Sequence, residues 1–198
     1  AFSYAVRSVQ GKHGDKAEKA EGQGAQKGQV VAGIYGAGAP NAGDNPALEA
    51  LVTHMGGQMF KANQEGKIAD YLSAGVAEGK EAVLFGYSRG GNAAINVANA
   101  LGKQGVNLSQ LITFDAHSLS DGKTFQLKYN NVGQAHNFYQ RNSRTGGRFG
   151  FWGSNPYWGS PVSSSHINVN QVNYTGANYR SGVPVSHHNI IRHSLGSF

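Results

Sequence analysis

Gly86-Tyr87-Ser88-Arg89-Gly90 has the form G-x-S-x-G, in which glycines two positions either side of a serine let a strand and a helix close around it. A serine hydroxyl at its ordinary pKa is a poor nucleophile; it needs a base, and the base needs an orienting acid. Acids are scarce in the second half of the chain. Beyond Glu81 the side-chain carboxylates are Asp115 and Asp121. Asp115 ends the apolar run Leu111–Phe114, at the carboxyl end of an expected strand, where open parallel sheets gather their active residues. Asp121 lies in SLSDGK and reads as a turn or cap residue, so Asp115 is favoured. Of the eight histidines, those after Asp115 are His117, His136, His166, His187, His188 and His193. His117 is too near Asp115 in sequence to swing over it easily, and His136, before NFYQ, suits a sheet interior. His187 and His188 follow Pro184, where Ile190 and Ile191 can anchor a loop that hangs over the serine. His187 is favoured, with His188 close behind, and His166 and His193 are the next choices.

The charge developing on an attacked carbonyl needs two backbone N–H donors. One is expected from Arg89, immediately after the nucleophile. The second is expected from the glycine-rich stretch Tyr35–Ala39, with Ala37 favoured because flanking glycines let its amide turn inward. Tyr87, beside the nucleophile, is a candidate substrate contact. So are Trp152 and Trp158 in RNSRTGGRFGFWGSNPYWGS, where arginines alternate with aromatics. Aromatics seat well at a lipid–water boundary and arginines pair with phosphate, so this segment suits an interfacial lid. A loop whose aromatics pack over the sheet is the favoured reading of the two.

These residues need a scaffold that presents loops at one end of a sheet. Val30–Ile34, Ala82–Phe85 and Leu111–Phe114 are short, apolar, β-branched or aromatic runs that read as buried strands. Between them, Pro46–Met55, Ile68–Glu78 and Ala93–Leu101 carry apolar residues at helical spacing, with Asn45 expected to cap the first. Alternating strands and helices predict an α/β class: a three-layer α/β/α sandwich with a mostly parallel central sheet. After Asp121 helical periodicity fades. Phe125–Tyr129 and Ala135–Gln140 could form strands, and Arg141–Ser165 reads as a long loop.

The chain has 198 residues, of which 39% are hydrophobic and 14% charged, enough for one domain with a real core. The absence of cysteine removes disulfide scaffolds, thiolate metal sites and cysteine nucleophiles. The 29 glycines follow no collagen period, and no apolar run is long enough to span a bilayer. Residues 1–28, rich in Lys, Glu and Gly from residue 11, are expected to be a flexible N-terminal segment, with a single domain over 29–198. The first residues lack an apolar core of the export-signal kind and read as the start of a mature or excised domain. A net charge of +6 suits an anionic partner, although solubility alone accounts for it.

With its second glycine, GYSRGG resembles the nucleophile turn of the α/β-hydrolase superfamily of serine esterases and lipases, including lipase-like bacterial effectors delivered by type VI secretion. The resemblance runs through residues 29–117 and resumes at NFYQRN and SHHNII. It implies a reduced version of that fold, with Ser88 as nucleophile, Asp115 as acid, and His187 or His188 as base. It also implies carboxylic-ester hydrolysis through an acyl-enzyme, without metal or organic cofactor. Lipid or phospholipid esters, a membrane surface, and an immunity or carrier protein are the partners it suggests. Thioester or amide cleavage by the same residues is an alternative. A basic module binding single-stranded nucleic acid through the arginine-aromatic segment is the non-catalytic rival and the less favoured one.

Overall fold

The computed structural model describes residues 28–38, 40–117, 125–142 and 158–196. The expected N-terminal segment (apart from Gly28), Asp121 and Trp152 lie outside the described residues. The sheet is built from β1 (Gln29–Ile34), β2 (Gln58–Phe60), β3 (Glu81–Tyr87), β4 (Leu108–Phe114), β6 (Val132–Tyr139) and β8 (Val169–Asn173). Their order is β2-β1-β3-β4-β6-β8, and every neighbouring pair is parallel. Two further pairs stand apart from it. β5 (Phe125–Leu127) pairs with β7 (Val162–Ser164), and β9 (Asn178–Tyr179) with β10 (Val183–Pro184).

Alternation along the strands divides the core into two layers. Val30, Ala32 and Ile34 of β1 and Ala82 and Leu84 of β3 face α2 (Glu65–Ala77) and α3 (Arg89–Lys103). Val31, Val83, Phe85 and Phe114 face the other way, against α1 (Asn45–His54) and α4 (Ile190–Gly196). The expected three-layer α/β/α architecture with a parallel centre is therefore what the chain forms. Among the described residues no helix is long and apolar enough to cross a membrane.

Several boundaries differ from expectation for physical reasons. Strands β2 and β8 were not anticipated: β2 is three residues long, and β8 (VNQVN) is polar, at the outer edge of the sheet beside β6. The Arg141–Ser165 stretch contains β7 at its end. Helix α1 begins at Asn45, with Asp44 and not Asn45 at the cap position, and no side chain caps it. Both polar side chains are committed elsewhere. Asn45 Oδ1 accepts the Gly36 N–H at 2.8 Å, and the Asp44 carboxylate serves the far end of the chain. Helix α3 starts at Arg89, directly after Ser88 and four residues ahead of the apolar run Ala93–Leu101, and Gly90 and Gly91 in its first turn pack where larger residues would collide.

Candidate active site

Ser88 stands alone between the end of β3 and the start of α3, with φ 56° and ψ −122°. A non-glycine residue in that region carries about 1–3 kcal/mol of strain, which the surroundings must hold. They do so from three sides. Ser88 N–H donates to the Phe114 carbonyl (2.9 Å), while the Ser88 carbonyl accepts the Gly91 N–H (2.9 Å) and the His117 N–H (3.2 Å). The flanking glycines are steric necessities. A Cβ on Gly86 would collide with the Gly90 carbonyl, and one on Gly90 with the Ile34 carbonyl. The pentapeptide thus makes the sharp turn that its spacing requires.

The structure brings Ser88, His187 and Asp115 into one line. His187 Nε2 lies 2.9 Å from Ser88 Oγ, and His187 Nδ1 lies 3.0 Å from Asp115 Oδ2. With Nδ1 protonated toward the carboxylate, Nε2 presents its lone pair to the serine O–H. All three are buried, at 7%, 6% and 0% exposure, so their mutual attraction is weakly screened by water. Asp115 follows β4 at φ 47°; it and Ser88 are the described non-glycine residues with positive φ. Its carboxylate also receives two bonds from Gln140, from the backbone N–H to Oδ1 (2.9 Å) and from Nε2 to Oδ2 (2.7 Å). Gln140 escaped the sequence analysis. Its legible signal was a polar residue just past the carboxyl end of the strand beside Asp115.

His187 is held from behind as well as in front. Ile190 and Ile191 are fully buried, and the turn before them is tied by Ser186 N–H to Asn189 Oδ1 (2.7 Å). Tyr87 Oη donates to the His187 carbonyl at 2.6 Å and accepts the Asp44 N–H at 3.3 Å. Tyr87 is therefore not the substrate contact expected. It is 2% exposed, its ring lies 4.9 Å from that of His187, and burial raises its pKa. The Asp44 carboxylate accepts Ile191 N–H (2.7 Å), Arg192 N–H (3.2 Å) and Arg192 Nε (2.7 Å), capping α4 from 147 residues away in sequence. Burial pushes Asp44 up against the pull of Arg192.

The bonds to Ser88 and Asp115 are made by His187; the ring of His188, the alternative base, stands edge-on to it at 5.9 Å. His188 is mostly exposed, and its pKa is lowered chiefly by partial burial, with the neighbouring His187 next. His136 sits inside β6 with Nδ1 3.1 Å from Asn170 Nδ2. His193 packs its ring edge-on to Tyr174, and His166 is exposed. His117 is close by but turned aside, its Nδ1–H donating to the Trp158 carbonyl (3.1 Å) and its pKa lowered by burial. Trp158 is half-buried. Among the described residues no cluster of His, Asp and Glu is arranged to hold a metal ion.

The candidate oxyanion donors lie on two sides of one hollow. A Cβ on Gly36 would stand 2.9 Å from Ser88 Cβ, so the loop after β1 abuts the nucleophile. Since the Gly36 amide is taken by Asn45, the next amide in the loop is that of Ala37, which is exposed. Ala37 and Arg89 both line a cavity of about 310 Å³. The Arg89 amide, in the first turn of α3, has no intrahelical acceptor, and the positive end of the helix dipole is directed there. The chain matches no family model, no curated protein and no solved structure.

Proposed function

We propose that this chain is a serine hydrolase of carboxylic esters, built on a reduced α/β-hydrolase fold. The observation that carries the reading is the unbroken relay from Ser88 Oγ through both nitrogens of His187 to Asp115. As His187 Nε2 takes the hydroxyl proton, Ser88 Oγ attacks the ester carbonyl carbon. The carbonyl π pair moves to oxygen, where the Arg89 and Ala37 amides stabilise it. Asp115 stabilises the imidazolium formed in this step and keeps Nδ1–H directed at itself. Collapse of the tetrahedral species expels the alcohol, which takes its proton from His187 Nε2. Water, deprotonated by the same nitrogen, then attacks the acyl-enzyme, releasing the acid and restoring Ser88.

Strain at Ser88 and Asp115 supports this reading, because backbone energy of that kind persists where a fixed side-chain direction is needed. A lipid acyl chain is the proposed substrate part, on the strength of the aromatic segment that ends at Trp158. An effector role is proposed from the resemblance alone. The test is capture by a fluorophosphonate probe together with turnover of p-nitrophenyl esters of increasing chain length. Stoichiometric labelling that Ser88→Ala abolishes is expected. An unlabelled, inactive but folded chain refutes the proposal.

A further inference from the structure

We infer that the hollow between the loop after β1, the loop after β2 and the first turn of α3 binds an anionic group of the substrate, a phosphate or a carboxylate. This rests on the ester-hydrolase reading and names what its substrate must carry. The hollow measures about 310 Å³ and is lined by Tyr35, Gly36, Ala37, Lys61, Asn63 and Arg89. A second hollow of about 340 Å³ shares Asn63 and Arg89, continues along α3 to Asn92 and is bordered by Glu65 on its far side. Gly36 touches the nucleophile's position, so a group seated here belongs to a molecule whose ester bond is at Ser88.

The charged side chains that line the first hollow are both cationic, Lys61 and Arg89. Among the described residues the ion pairs are Lys80–Glu78, Arg192–Asp44 and His187–Asp115, and neither Lys61 nor Arg89 takes part in them. Both side chains are exposed at the rim. The nearby acids, Glu65 and Glu49, keep their charge but are each turned to a neutral donor, and neither lines the first hollow. Glu65 accepts Asn96 Nδ2 at 2.9 Å, and Glu49 bonds the Tyr35 hydroxyl, which together with burial raises the tyrosine's pKa. No acidic residue lies in the first turn of α3, whose positive end faces the same space. A guanidinium, an ammonium, the Asn63 amide and free backbone N–H groups together suit a tetrahedral or planar anion and repel a cation. At this volume the hollow takes a small head group, and an acyl chain must leave by another side.

Two measurements test the inference. In turnover, matched ester pairs with and without a phosphate or carboxylate should show the anionic member favoured in kcat/KM. Lys61→Gln and Arg89→Gln should each cut that preference about tenfold, as for loss of one charge-assisted bond. Lys61→Glu and Arg89→Glu should reverse it. In binding, Ser88→Ala protein titrated calorimetrically with glycerol 3-phosphate, inorganic phosphate and glycerol should bind the first most tightly, and Lys61→Gln should weaken it. Inorganic phosphate binding more tightly than glycerol 3-phosphate overturns the substrate assignment and leaves a free-anion site. An active, labelled enzyme with no preference and no binding overturns the inference while the hydrolase stands. Binding that depends on Lys61 in a chain that no fluorophosphonate labels removes the hydrolase instead.

Discussion

Tyr87→Phe deletes one oxygen atom and leaves the ring that packs on His187. That oxygen donates to the His187 carbonyl at 2.6 Å and accepts the Asp44 N–H at 3.3 Å, both in buried surroundings. Two buried polar groups would each lose a hydrogen bond, and such a loss costs about 1–3 kcal/mol. In a chain of 198 residues that corresponds to a fall in Tm of roughly 3–10 °C. The catalytic consequence follows from what the carbonyl belongs to. It fixes the backbone of the residue whose Nε2 must stay 2.9 Å from Ser88 Oγ. If about 1.4–2.8 kcal/mol of that loss falls on the aligned state, kcat and the fluorophosphonate labelling rate drop roughly ten- to hundredfold. KM should change little, because Tyr87 does not line the hollow. Steady-state kinetics, labelling rates and thermal unfolding of the same preparations make the comparison. A variant with lowered Tm but kcat and labelling within twofold of the parent would show that Tyr87 serves packing alone, and the positioning argument would fail.

Asp115→Asn keeps the shape of the site but removes the charge that stabilises the imidazolium, so kcat should fall by about three to four orders of magnitude with the fold retained by circular dichroism; near-parental rates would shift the acid's role to Asp121. Stability should decline as pH drops from about 7.5 to 5.5, because burial holds the His117 and His136 pKa values below the ordinary 6.5 while the unfolded chain protonates normally. The unfolded state then binds more protons, and His117→Asn should flatten the slope of Tm against pH. Asp44 contributes the opposite sign nearer its ordinary 3.8, since its raised pKa lets the folded state hold a proton the unfolded chain has released. Replacing Trp158 with Ser should impair turnover of aggregated lipid more than of soluble short-chain esters, and equal losses on both would remove the lid from the account.

The sheet's centre was legible because its strands announce themselves. Val30–Ile34, Ala82–Phe85 and Leu111–Phe114 are buried on both faces, so apart from Thr113 they carry no polar side chain and need no partner to be recognised. The edges were not. Strand β8 is polar, with exposed residues, and owes its existence to the ladder offered by β6. Helix α3 begins directly after Ser88, and the glycines of its first turn, which disfavour a helix locally, are required by the close approach to the Ile34 carbonyl.

For the site, spacing and chain position alone singled out Ser88, Asp115 and the His187–His188 pair. The turn type at Ser88 is local chemistry, and carboxylates past Glu81 are few enough to choose between. Which histidine faces the serine was a tertiary decision. Adjacent residues on a turn point in different directions, and the direction is set by contacts from 99 to 148 positions away: Ser88 Oγ, the Tyr87 hydroxyl and the Asp44 carboxylate that caps α4. Gln140 behind Asp115 belongs to the same class, 25 residues distant and adjacent only because β4 and β6 pair in register. A sequence carries side-chain types and local turns; the direction in which a buried polar group points is settled by whichever partners the folded chain delivers to it.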